Sequence, residues 1–250
     1  MAEWRVGRGW SEAELAKRLA DLRGLPTNFH DAQEDMTPEN GWSLYHSEAV
    51  VARERPGEPA ASGPFGRAAT ALANYQFSNP RIVVGHFDAG SDLLGRRMLL
   101  EMVALRTLHY LAGVVVGAVR DDHSEGRHAF GFRYDTLEGH LERGSEWFLL
   151  TKDHPSGEVR FRIAAAWQPG DFPNWWSRLG FHLLAPGYQR RWHHQAHWRI
   201  FRAAYGGLST EPPVGDLGVA HAGPAVVFRR TPAHRTLRKP ALKEEHTTSP

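Results

Sequence analysis

Apolar residues recur along this chain with two different periods, and the changes of period divide it into a helical start, an extended middle and a helical close. Leu15, Leu19 and Leu22 fall at i, i+4 and i+7, one apolar stripe on a helix over Ser11–Arg23. Ser11 stands three residues before Glu14, the spacing of a reciprocal capping box, and Gly24 and Pro26 end the helix. Residues 27–41 are polar and read as loop. Trp42–Ala52 reads as a strand, and Pro56–Pro64 as a Gly/Pro/Ala/Ser linker. A short helix is predicted over Phe65–Asn74, with Phe65, Ala68, Ala69 and Leu72 on one side.

From Arg81 the pattern becomes extended. Ile82–Val84, Met98–Leu105 and Leu108–Val119 are predicted strands, with a turn over Asp121–Gly126. Phe130, Phe132 and Tyr134 alternate with Gly131, Arg133 and Asp135, a two-residue period. Glu146–Lys152 follows as a strand, and Ser156-Gly157 signals a hairpin. Val159, Phe161, Ile163, Ala165 and Trp167 then alternate with Arg160, Arg162, Ala164 and Ala166. Burying Arg160 and Arg162 unpaired is costly, so their face should meet solvent or carboxylates such as Glu146 or Glu158.

The helical period returns with Trp176, Leu179 and Leu183 behind a possible cap at Asn174. Pro186-Gly187 interrupts it, and Tyr188, Trp192, Ala196, Ile200 and Ala203–Ala204 resume it until Gly206-Gly207. This order of elements predicts an α+β fold: a curved antiparallel β-sheet gripping a long C-terminal helix, with N-terminal helices packed alongside. Residues 1–207 are expected to form one domain, its N-terminal helix and loop region over 1–60 and its sheet and closing helix over 61–207. Residues 208–250 form a Gly/Pro-rich, basic tail containing one apolar run, Ala225–Phe228, and 231–250 have the composition of a disordered segment.

Composition narrows the chemistry. The chain has 250 residues and no cysteine, so disulfides, Fe–S clusters, thiolate nucleophiles and Cys-ligated zinc are excluded. Thirty Lys and Arg against 28 Asp and Glu leave a net charge of +2, too small to argue for nucleic acid. No apolar run approaches the roughly 18 residues of a membrane helix, and the N-terminus lacks a secretory layout, so a cytoplasmic protein is expected. Nine tryptophans and twelve phenylalanines promise a core with large flat walls. No Walker loop, dinucleotide fingerprint or nucleic-acid module is present, and no cofactor is expected.

One stretch resembles a known family. Gly131, Phe132, Tyr134, Thr136, Leu137, Gly139, His140, Glu142, Gly144 and Glu146 follow a pattern similar to the signature of the DUF1990 family, whose activity is unknown. The resemblance continues through Phe65–Tyr75 and Arg160–Arg202 and covers about residues 11–205. It implies a helix-grip fold similar to START and Bet v 1-like domains, the class of lipid-transfer and polyketide-cyclase proteins. It supplies no catalytic residues.

A sheet gripping one helix leaves room for a ligand. The first functional reading is therefore a binding module for an apolar small molecule or lipid, held by Phe130, Phe132, Tyr134, Phe161, Ile163, Trp167, Trp176 and Trp192. The second is a cofactor-independent cyclase, dehydratase or isomerase. It would use His140 with Glu142 and Glu146, because an imidazole beside a carboxylate suits acid–base work. The bland alternative for these three is a structural turn. The third reading is a peripheral membrane or protein contact through the tryptophan- and arginine-rich helix. His193 and His197 share a helix face at a zinc-ligand spacing, but His194 stands where a glutamate would be needed and Arg190, Arg191 and Arg199 disfavour a cation. A polar helix face is expected there, and no metal site.

Overall fold

A computed structural model describes residues 2–104, 107–170, 175–207, 209–223 and 240–247, with the side chains of residues 2, 175–186 and 188 outside that description. The opening stripe forms α1, Glu12–Asp21, and both halves of its capping box are made: Glu14 N–H donates to Ser11 Oγ, and Ser11 N–H to Glu14. Leu15 and Leu22 are buried. The second helix, α2, spans Pro64–Ala73 and buries Phe65, Ala68, Ala71 and Leu72.

The extended segments form one antiparallel sheet. Its strands are β1 (Ala2–Val6), β2 (Ser43–Arg53), β3 (Val83–Asp88), β4 (Arg97–Ala104), β5 (Leu108–Ser124), β6 (Arg127–Thr136), β7 (Glu142–Asp153), β8 (Glu158–Pro169), β9 (Val219–Ala222) and β10 (Lys243–Thr247). The order is β10-β2-β8-β7-β6-β5-β4-β3-β9. β5 to β8 pair in chain order, and β5 runs on through Asp121–Ser124, which pair with Arg127–Phe130, so the turn predicted over Asp121–Gly126 shrinks to Glu125-Gly126. β1 joins the edge of β5 at Leu108–Ala112, beyond the point where β6 ends its pairing at Thr136.

The tail departs from its expected disorder at β10, which pairs with Leu44–Glu48 of β2. It is exposed throughout and carries Lys243, Glu244 and Glu245, charges that blunt an open sheet edge. Tyr45 Oη anchors it by donating to Glu244 Oε1 at 2.7 Å. The run Ala225–Phe228 lies outside the described residues.

The long closing helix α3, Trp175–Ala204, runs through Pro186-Gly187 as one 30-residue element. Its second half and α2 cover one face of the sheet. Val159, Phe161 and Ile163 point into this core, as their alternation predicts, beside Phe132, Phe148, Leu150 and Ile200. On the other face Leu15 of α1 and Leu22, just past its end, pack against Leu99, Leu111 and Leu137. Arg160 turns outward and pairs with Glu48 and Glu158, while Arg162 is exposed. Glu146 is not their partner, because its even-numbered place on β7 sends it inward with Phe148 and Leu150.

Phe161 has no exposed surface and packs on Phe77 and His197. Phe161→Asp should therefore destabilise the protein by more than about 3 kcal/mol, since it buries an unpaired charge. Denaturant melts check this; a wild-type midpoint would mean that the faces of β8 are reversed.

Candidate functional site

The inward-facing residues shrink along β7 and β8 toward the β6–β7 connection. On β8, Phe161 and Ile163 give way to Ala165, and on β7, Leu150 and Phe148 give way to Glu146 and Gly144. At the filled end, Phe77 rests on Phe148, Phe161 and Trp192. At the other end, among the described residues, no bulky side chain takes that place. A cavity of about 550 Å³ opens between β4–β8 and α3. Ile82, Leu100, Met102 and Leu108 give it apolar walls, Gln189, Trp192 and His193 of α3 cover it, and Trp4 of β1 lies at its border.

The β6–β7 connection shapes one side of the cavity. Thr136 Oγ1 accepts the Gly144 N–H at 2.8 Å and donates to Asn28 Oδ1 at 2.6 Å. A Cβ on Gly144 would meet the Ala166 carbonyl oxygen at 2.1 Å, so only glycine lets β7 pass β8 this closely. Gly139 turns the chain with φ +79°, and His140 Nδ1 then accepts the Glu142 N–H at 3.0 Å. Thr136 and one nitrogen of His140 are thus engaged in backbone contacts of this turn. His140, Glu142 and Glu146 nevertheless line the cavity.

Glu146 lies at the centre of the polar groups. Tyr134 Oη donates to Glu146 Oε2, and His193 Nε2 stands 3.6 Å from Glu146 Oε1. Burial pushes the Glu146 carboxyl up to about 8, with the charge of Glu142 adding to the shift and the Tyr134 bond opposing it. Burial also pushes Glu142 up to about 7 and His140 down to about 4. His193 is held well below the usual imidazole range, by burial and by His197 and His194. The proton of the Glu146–His193 pair therefore rests on the carboxyl, and the contact is not an ion pair.

Behind His193 the polar chain continues. His193 Nδ1 is 2.8 Å from Ser47 Oγ, and His197 Nε2 is 2.9 Å from the same hydroxyl. Both rings of this polar helix face are buried against the sheet, where Ser47 on β2 partners one nitrogen of each, while His193 Nε2 and His197 Nδ1 have no hydrogen-bond partner. Ser47 has no exposed surface, so this Ser–His–Glu sequence presents no nucleophile to the cavity.

Of the residues expected to bind a ligand, Tyr134, Trp167 and Trp192 line the cavity. Phe132, Phe161 and Ile163 do not; they are sealed in the core where Phe77 and α3 fill the space, and Phe130 packs against that core. The side chain of Trp176 lies outside the described residues. Tyr75 and Tyr110 also line the cavity, unforeseen from the sequence. Tyr75 follows α2 in the left-handed region, φ 55°, a conformation costing a non-glycine residue about 1 kcal/mol. Its ring lies over Gly85, where a Cβ would come within 2.6 Å of Tyr75 Cδ1. Its hydroxyl is buried without a partner.

The raised Glu146 carboxyl sets a pH dependence. A native acid that holds its proton to about pH 8, against about 4.5 unfolded, binds more protons than the unfolded chain between those values, so stability falls as pH rises through that window. Glu146→Gln should therefore gain on the wild type as pH rises from about 5 to 8, by up to about 1.4 kcal/mol per pH unit. Urea melts across that range decide this. Parallel curves would mean that Glu146 ionises normally.

Several solved structures show a low similarity. Ara h 8.0201 matches with a TM-score of 0.40 and 9% identity over 66% of this chain and 99% of that one. Human STARD10 matches at 0.34 and 9%, over 80% and 82%. The major latex-like protein 151 of Panax ginseng matches at 0.31 and 14%, over 60% and 95%. No curated protein matches the chain. A family model, by contrast, matches residues 28–199, more than two thirds of the sequence and the whole of the connection that shapes the cavity, so the chain belongs to the family described as domain of unknown function DUF1990.

Proposed function

We propose that this protein binds a small, mostly apolar molecule between the sheet and α3, with the ligand's polar end against Glu146 and Tyr134. The observation that carries the reading is the cavity itself. About 550 Å³ lies within the range of small-molecule sites, and apolar walls with a few converging polar groups are the usual make-up of such sites. Glu146 with its proton is a hydrogen-bond donor, so it suits a carbonyl or hydroxyl on the ligand. Trp167 Nε1, buried in the same wall without a partner, offers a second donor.

A second reading rests on a separate observation. Glu142 and Glu146 both sit close to neutral pH in their affinity for a proton, the range in which a general acid or base works best. This favours a cofactor-independent proton-transfer enzyme of the cyclase, dehydratase or isomerase type. In that role Glu146 would donate or accept the proton, and His193 and Ser47 would hold the carboxyl in place. The described residues include no helix long and apolar enough to cross a membrane, and we place the ligand-binding activity in the cytoplasm.

Native mass spectrometry of the purified protein should show a bound small molecule, and 1-aminoanthracene, a neutral fluorescent probe, should bind with a blue shift. Ala165→Trp fills the cavity from the floor and should weaken probe binding at least about tenfold, or 1.4 kcal/mol, while the thermal midpoint stays within a few degrees. Equal binding by this variant would sink the cavity reading. Tyr134→Phe should keep the fold and weaken the probe only if its polar end reaches Glu146, by about 1 kcal/mol.

A further inference from the structure

At the opposite end of the sheet from the cavity, three segments distant in sequence bring imidazoles and carboxylates together. His123 of β5 and His128 of β6 are directly opposed across the hairpin, with ring centroids 3.7 Å apart. Glu58 reaches over them from the linker between β2 and α2. Its Oε2 lies 3.9 Å from His123 Nδ1 and 3.6 Å from Nε2 of His154, in the β7–β8 connection. We propose that Glu58, His123 and His128, with His154 beside them, bind a divalent transition metal of the zinc type.

The donor geometry is close to what such an ion needs. One ligand atom from each of Glu58, His123 and His128 lies within 4.8 Å of the other two, the sole convergence of this kind among the described residues. Zinc bonds of about 2.0–2.1 Å put tetrahedral donors about 3.3 Å apart. Movements of about 1 Å close the gap, and the side chains that must move are free to do so: Glu58 is 67% and His123 62% exposed.

Two further observations point the same way. The backbone behind the donors is already fixed. Gly57 N–H donates to the His154 carbonyl and His154 N–H to the Gly126 carbonyl, both at 2.8 Å. Buried Lys152, paired with Glu54 at 2.7 Å, donates to the Glu58 carbonyl at 2.9 Å. Linker and hairpins are thus held together before any ion arrives, which lowers the cost of ordering them. In addition, His128 Nδ1 and His154 Nε2 are buried with no hydrogen-bond partner, while Asp121 Oδ1, 3.3 Å from His128 Nε2, is placed to orient that ring. Imidazoles with a single carboxylate select zinc, nickel or copper over calcium or magnesium, which take oxygen donors.

Zinc competition against a chromophoric chelator, with the full chain stripped by EDTA, tests the site. Wild type should take up one zinc equivalent that Glu58→Gln and His123→Gln each weaken by at least about tenfold, as loss of even an outer partner does. Zinc should raise the thermal midpoint of wild type and not of the double variant. Both side chains are exposed and Glu58→Gln keeps the carbonyl that holds Lys152, so apo melts should match wild type. Failure of wild type to take up zinc, or equal uptake by the double variant through other histidines, overturns the proposal.

Discussion

One helix laid across a concave sheet touches it along a line, and whatever space remains must be filled by side chains or left open. In this protein the residues facing α3 decide the matter position by position. Phe77, Phe148, Phe161 and Trp192 close the space at one end. Ala165, Gly144 and Glu146 leave it open at the other. The same strands thus provide both a rigid core and a chamber, and the core stabilises the fold without any contribution from the chamber.

The chamber imposes a cost on the fold. A carboxyl inside it gives up hydration, and it keeps its proton to about pH 8 as the less expensive alternative to a buried charge. Its neighbours are arranged to accept that state. Tyr134 donates to it, and His193 is held neutral by burial and by the neighbouring His197 and His194. Such an arrangement stabilises a neutral interior more than it stabilises ions, which agrees with an occupant that is itself largely apolar.

What could be read from the sequence follows from how local each signal is. The Ser11–Glu14 capping box acts over three residues, and the alternation of Val159, Phe161 and Ile163 acts within one strand, so both were legible before any fold was known. The burial of His193 and His197 was not, because the hydroxyl that partners one nitrogen of each, Ser47, lies 146 and 150 residues away. Period alone marked Phe132 and Phe161 as inward-facing, but it could not say that Phe77 would cover Phe161 and keep it out of the cavity. Tyr75 occupies the left-handed position after a helix where glycine is usual, and nothing in its neighbours announces this.

The pairing of β10 with β2 has a consequence for how the protein is made. The contact between Tyr45 and Glu244 spans 199 residues, among the least local in the fold. During synthesis β2 can pair with β8 once residue 169 has emerged, yet its other edge stays unpaired until residues 243–247 follow. For that interval the nascent chain presents a strand edge to its surroundings, and pairings of such high contact order form slowly. The last strand therefore acts as a late seal on a sheet already formed, and a ribosome stalled before residue 243 would leave that edge open to other chains.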